Sequence, residues 1–186
     1  LLVRLGDAAE VDLGAYSKAC GSKLVVTGNL PYQATGAIIR QVVAHRAVLD
    51  GAILMVQREV RDRLIASPGT KDYGALTVFT RAAFEVETLC RLRPGSFYPA
   101  PKVDSAVVRF VPREAVLAEE TQSFQLVVRA AFQMRRKTLH NALRAHGDSG
   151  RASRALSAAG IDAGRRGETL SVEEFAALAK GWDAGM

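Results

Sequence analysis

Residues 23–56 read KLVVTGNLPYQATGAIIRQVVAHRAVLDGAILMV, and their patterning decides the fold. Lys23–Thr27 is a short β-branched run that ends at Gly28-Asn29-Leu30-Pro31-Tyr32, which predicts a strand running into a turn. Residues 34–49 follow with Ile38, Ile39, Val42 and Val43 on one broad side, the spacing of a helix. Ala52–Val56 is then a continuous apolar run, as in a strand buried on both faces. Strand, helix and strand in that order argue an open α/β sheet with parallel strands.

Working outward, Leu1–Leu5 is a further apolar run closed by Gly6-Asp7 and reads as another strand. Downstream, Arg58 to about Ala66 predicts a charged amphipathic helix, broken by Ser67-Pro68-Gly69-Thr70. A helix near Gly74–Ala83 leads into a strand at about Phe84–Leu92, and Val103–Val111 is the last strand candidate. These two late strands suit an antiparallel hairpin at the sheet edge. After Pro112-Arg113 the character changes to helical spacing. Phe124, Val127, Val128, Ala131 and Phe132 share a stripe, and Leu139, Ala142 and Leu143 resume it. In one unbroken helix Arg135 would point along that stripe, so a break near Met134 or a buried partner for Arg135 is expected. Ser171-Val-Glu-Glu174 is a capping-box pattern that opens a last helix towards Trp182. The expected organisation is an α/β domain over 1–112 and a small all-helical domain over 113–186.

Composition narrows the function classes. The 186 residues are 48% hydrophobic, with 25 Lys+Arg against 19 Asp+Glu and a formal charge of +6. That supports a packed core and excludes a disordered tail. The modest basic excess favours a polyanionic partner without specifying one. Two Cys and three His, widely scattered, show no metal-ligand spacing, so no metal site is expected. No apolar run approaches membrane length and no basic-then-apolar leader is visible, which points to a cytoplasmic protein with no membrane partner.

The chemistry concentrates at Asn29-Leu30-Pro31-Tyr32, at the carboxyl end of a parallel strand, where ligands of open α/β sheets bind. An exocyclic amine on a nucleobase is a poor nucleophile because its lone pair is delocalised into the ring. The Asn29 amide oxygen and the Leu30 carbonyl offer two acceptors for its N–H groups, favouring a pyramidal nitrogen. Pro31 holds the Leu30 carbonyl in place, and Tyr32 offers a flat face to an unstacked base. The same four residues also suit a plain strand-to-helix turn. A second cluster, Phe97-Tyr-Pro-Ala-Pro-Lys102-Val-Asp-Ser105, places an aromatic before two prolines and a lysine. Taken alone it also reads as a rigid loop with a core aromatic.

Six stretches occur in order: GNLPYQATGAIIRQ (28–41), QREVRDRL (57–64), KDYGALTV (71–78), FYPAPKVDSAVVR (97–109), FQMRRKTLHNAL (132–143) and GIDAGRRGETLSVEEFAAL (160–178). Together they resemble the small-subunit (16S) ribosomal RNA adenine N6,N6-dimethyltransferases over nearly the whole chain. The resemblance implies a class I, Rossmann-like methyltransferase domain followed by a helical domain. It also implies S-adenosylmethionine as donor and two adjacent adenines near the 3′ end of small-subunit rRNA, in an immature 30S particle, as acceptors. No protein partner is evident. Asn29, Leu30, Pro31 and Tyr32 match the family's catalytic motif, and Phe97 matches the aromatic on the other face of the target adenine. Gly6-Asp7-Ala8 resembles the motif that meets the donor's adenine, with Asn29 touching both donor and acceptor.

Arg135-Arg136-Lys137 matches the family's interdomain basic cluster, where phosphate contacts are expected of one or more of the three. Lys102 suits a phosphate contact or a surface ion pair equally. Arg58, Arg61 and Arg63, interspersed with Glu59 and Asp62, are expected on a solvated helix face. Gln133-Met134 departs from the Asn-Gln usual before the basic cluster. The family's Gly-rich loop and the acidic residue for the donor ribose have no counterpart in these 186 residues. The chain alone is therefore expected to bind donor weakly and to be inactive by itself. Two other functions fit parts of the pattern: a large-subunit rRNA adenine methyltransferase of the macrolide-resistance type, and a non-catalytic RNA-binding assembly factor.

Overall fold

The structure, a computed structural model, describes residue 3, residues 5–147 and residues 149–184. Contacts divide it into two compact units. The first takes in the residues up to Ile65 together with Ala83–Glu114, and the second Ala66–Ala82 with the residues from Ala115 onward.

The first unit is built on a four-stranded sheet, β1 (Leu24–Asn29), β2 (Leu49–Gln57), β3 (Phe84–Leu92) and β4 (Ser105–Pro112), in the order β1-β2-β4-β3. β1 and β2 are parallel, with Asn29 opposite Met55; β4 runs antiparallel to both β2 and β3. The expected hairpin is therefore present, with β4 inside the sheet and β3 at its edge. Helices α1 (Leu13–Cys20), α2 (Thr35–Ala44) and α3 (Arg58–Leu64) belong to this unit. Asp12 caps α1 by accepting the Ala15 N–H, and Gly21 ends it in the left-handed conformation, the role glycine fills without a Cβ penalty. Ile38, Ile39, Val42 and Val43 of α2 are buried, as are Leu49, Leu54 and Val56 of β2. Phe84 and Phe110 meet edge to face at 6.0 Å across β3 and β4. Each fully buried side chain of this kind contributes about 1.5–3 kcal/mol.

Of the expected Leu1–Leu5 strand, residues 1, 2 and 4 lie outside the described residues. Val3 and Leu5 are exposed and belong to no strand.

The second unit is helical: α4 (Ala75–Ala83, whose last residue falls in the first unit), α5 (Gln122–Gln133), α6 (Leu139–Arg144), α7 (Ser149–Ala158) and α8 (Val172–Ala184). Its core gathers Tyr73, Val78 and Phe79 with Phe124, Val127, Leu139, Leu143, Leu156, Leu170, Phe175, Leu178 and Trp182. Residues 66–82 thus pack in this unit. Two long-range bonds hold them there: the buried Tyr73 hydroxyl donates to the Leu170 carbonyl at 2.8 Å, and the Gly69 N–H donates to the Glu168 carbonyl at 2.7 Å. Burial, the largest influence, pushes the Tyr73 phenol up to about 12. The capping box forms as read, with the Ser171 N–H on the Glu174 carboxylate at 2.8 Å and the Glu174 N–H on the Ser171 hydroxyl at 3.2 Å.

Candidate active site

β1 ends at Asn29, so its carboxamide emerges at the carboxyl end of the parallel pair. The Leu30 N–H donates to the Met55 carbonyl at 3.1 Å, fixing the next residue against β2. The Leu30 side chain is buried, which anchors the turn. Pro31 then redirects the chain. Its carbonyl accepts the Ala34 N–H at 3.1 Å and the Thr35 hydroxyl at 2.9 Å, starting α2 without a side-chain cap on Ala34. These bonds leave the Leu30 carbonyl and the Asn29 amide with no hydrogen bond among the described residues. Both lie where a ligand can use them.

The opposite wall comes from the β3–β4 connection. A 3-10 turn at Pro94–Ser96 ends at Phe97, whose N–H donates to the Pro94 carbonyl at 3.1 Å. The Tyr98–Pro99 peptide is cis. The Arg58 N–H donates to the Asp104 carbonyl at 2.9 Å, tying the end of this connection to the start of α3. Asn29, Leu30, Pro31, Tyr32 and Phe97 thereby line one cavity of about 530 Å³, joined by Met55, Tyr98, Pro99, Pro101 and Ser105. Its volume suits a small ligand or a single base. Tyr32 is half exposed and Phe97 half-buried. The cavity therefore offers aromatic surface together with two acceptors unpaired among the described residues.

The sequence reading brought five of these residues together across 68 positions. It missed Met55, whose signal is the strand register opposite Asn29, and named Ser105 only as the end of the Phe97 cluster. It named Pro99, Pro101 and Tyr98 only as neighbours of Phe97.

Asp7 sits in a separate stretch. Its Oδ1 accepts the Ala9 N–H at 2.8 Å and so caps a 3-10 turn at Ala8–Glu10. Gln41 of α2 donates to the Ala9 carbonyl, which holds the turn against that helix. Asp7 is exposed, and its second carboxylate oxygen remains an acceptor.

The basic candidates separate. α5 ends at Gln133, giving the expected break. Arg135 also finds a partner, with Nε on Glu168 at 2.7 Å and Nη2 on the carbonyls of Lys71 at 2.7 Å and Thr70 at 3.3 Å. That makes it a clamp within the helical unit. Arg136 and Lys137 are at the surface, and so is Lys102. Lys102 makes no ion pair among the described residues. Arg63 pairs with Glu59 as a solvated helix face predicts. Arg61 does not follow that expectation: it is 7% exposed and pairs with Asp62 at 2.9 Å. It stands three residues before the buried Leu64, hence on the stripe of α3 that faces inward.

Among the described residues, no group of three or more His, Cys, Asp and Glu gathers as a metal site, and no helix is long and apolar enough to cross a membrane.

Comparison with known proteins places this geometry. The chain is 47% identical over 183 residues to the ribosomal RNA small subunit methyltransferase A of Geobacter metallireducens, covering 94% of this chain and 66% of the relative. It is 44% identical over 185 residues to the protein of the same name from Syntrophotalea carbinolica, covering 97% and 69%. The chain thus spans about two thirds of the length of these relatives. Among solved structures, a dimethyladenosine transferase from Plasmodium falciparum superposes with a TM-score of 0.76 at 24% identity, over 87% of this chain and 67% of that one. The 23S rRNA methyltransferase ErmE gives 0.60 at 26% identity, over 87% and 66%. The fold is thus the Rossmann-like methyltransferase sheet with a helical unit. The family profile described as ribosomal RNA adenine dimethylase matches residues 4–183, and the chain belongs to that family.

Proposed function

We propose that this chain forms the acceptor site of an S-adenosylmethionine-dependent enzyme that dimethylates N6 of two adjacent adenines in small-subunit rRNA. The observation that carries the reading is the shared cavity of Asn29–Tyr32 and Phe97, with two acceptors unpaired among the described residues beside aromatic surface. An adenine unstacked from its RNA enters the cavity against Tyr32 and Phe97. The Asn29 amide oxygen and the Leu30 carbonyl accept its two amine hydrogens. Accepting both hydrogens draws the nitrogen towards a pyramidal shape and frees its lone pair. These bonds strengthen as the amine becomes a nucleophile, so they act on the transition state more than on binding. After transfer the amine proton leaves to solvent, and no side-chain base is called for beforehand.

S-adenosylmethionine, when bound, supplies an electrophilic methyl carbon on a sulfonium. The residues present fit part of such a donor: the second carboxylate oxygen of Asp7, which bonds to none of the described residues, suits an exocyclic amine on the donor's adenine, with Ala8 beside it. Arg136, Lys137 and Lys102 are the proposed phosphate contacts, with the Arg135 guanidinium already committed to Glu168. The proposed setting is the cytoplasm, on the immature 30S particle. The 42–47% identity to relatives named for the small subunit supports this reading over a large-subunit substrate.

The test is equilibrium binding of a short single-stranded RNA with two adjacent adenines. A second RNA carries purine riboside, which lacks the 6-amino group, at both positions. The reading expects severalfold weaker binding of the second RNA, and a loss of that preference in Asn29→Ala. Equal affinity for both RNAs would contradict it.

A further inference from the structure

A second pocket, of about 370 Å³, lies beside the acceptor cavity and shares Ser105 with it. Four arginines line it: Arg58 and Arg61 from α3, Arg91 from β3 and Arg93 just beyond, with Asp104 the one acidic residue of its lining. Two features of the fold assemble it. The first is a bulge in β3. Val86 opposes Phe110 and Thr88 opposes Val108, but the register then shifts and Arg91, not Cys90, opposes Ala106. Directly opposed residues share a sheet face. The extra residue therefore turns Arg91 onto the face of Ala106, Val108 and Phe110, where a regular strand would have put Cys90. The second is the inward stripe of α3, which carries Arg61 into the same place.

The cluster is short of acceptors. Arg61 is buried, uses Nη1 on Asp62 and leaves its buried Nε without a hydrogen-bond partner among the described residues. A buried donor left unpaired is costly, more so on a charged group. Arg58 reaches Asp104 only at 3.4 Å, with both side chains well exposed, so that pair is weak and exchangeable. Arg91 and Arg93 form no ion pair among the described residues. A pocket with excess guanidinium donors and an orphaned buried N–H is built for an oxyanion with several acceptor oxygens.

We infer that the Arg58–Arg61–Arg91–Arg93 pocket binds a backbone phosphate of the RNA next to the nucleotide held in the acceptor cavity. This rests on the proposed RNA substrate. A base leaving its stack swings its sugar-phosphate with it, and a phosphate held beside the cavity fixes which nucleotide is presented. Phosphate contacts position the strand; the cavity reads the base.

The test measures binding of the two-adenine RNA by fluorescence anisotropy over a salt series, with the chain, Arg91→Gln/Arg93→Gln, Arg61→Met and Arg63→Gln. Arg91 and Arg93 are exposed, so their double variant keeps the fold even if Arg61→Met disturbs it. For single strands, each phosphate that the protein no longer neutralises makes the slope of log affinity on log salt shallower by about 0.7. The double variant is expected to show that change and about three- to tenfold weaker binding at low salt, while Arg63→Gln matches the unmutated chain. Unchanged slope in the double variant would overturn the inference. Inorganic phosphate is titrated separately, with thermal unfolding as readout. If it stabilises the chain but not the double variant while the RNA slopes agree, the pocket serves a free anion and the backbone assignment is wrong. The purine riboside comparison keeps the two readings apart: adenine preference with unchanged slopes overturns this pocket alone, whereas altered slopes without adenine preference overturn the acceptor site alone.

Discussion

Asn29 is the proposed side-chain acceptor for the target amine, and its amide has no competing partner among the described residues. In a methylation-competent form of the protein, Asn29→Ala is expected to slow methyl transfer about a hundredfold or more and to lower RNA affinity only severalfold. Single-turnover rates set beside equilibrium binding check this; equal losses in both would assign Asn29 to binding. Tyr73 is a structural counterpart. Tyr73→Phe removes the donor to the Leu170 carbonyl and leaves that acceptor buried, so urea unfolding should show a loss of about 1–3 kcal/mol. At this scale the sequence was informative where chemistry dictates residue type. Asn29, Pro31, Tyr32 and Phe97 stood out because they lie in stretches that occur in order as in the family, although each cluster alone also suits a plain turn or loop. Arg61 was not legible: REVRDR alternates charges as a solvated helix does, and only the packing of α3 shows which arginine faces inward.

At the scale of elements, the bulge in β3 and the close packing of α7 and α8 carry the most consequence. A Cβ on Gly181 of α8 would lie 2.6 Å from the Ala155 carbonyl oxygen of α7. Alanine gains about 1 kcal/mol in helix propensity over glycine, but overpacking against a backbone atom costs about 1–3 kcal/mol. Gly181→Ala is therefore expected to lower the unfolding midpoint, and a raised midpoint in thermal denaturation would show that the helices separate cheaply. Strand and helix identities from β1 to α5 followed from periodicity, because continuous apolar runs and i, i+3, i+4 stripes are local signals. The bulge did not: Thr88-Leu89-Cys90 has no local mark of an extra residue, and its register is set by β4. Residues 66–82 likewise read as a continuation of the α/β pattern, while the partner that claims Tyr73 lies 97 positions away.

At the scale of the molecule, each unit has its own core, and the helical one carries a pH-sensitive tie. The Glu174 carboxyl is held below its ordinary 4.5, chiefly by the Arg165 hydrogen bond, against burial and with help from the Ser171 N–H. A carboxyl lowered in the folded state adds stability that is present above its unfolded value and lost as the pH falls through the folded one. Unfolding followed below pH 4.5 should therefore show a steeper acid loss in the chain than in Glu174→Gln. Identical acid limbs would mean that the pair contributes nothing.

The acceptor cavity itself is tested most directly by the amine it is proposed to hold. An RNA with adjacent adenines labelled with 15N at N6 is titrated with the chain and followed by 15N-edited proton NMR. Bound to the chain, the target amine should shift downfield as its two hydrogens meet Asn29 and Leu30, and Asn29→Ala should abolish much of that shift while Arg63→Gln leaves it intact. An N6 amine that keeps its free-RNA resonance in the saturated complex would contradict the assignment of this cavity to the target adenine.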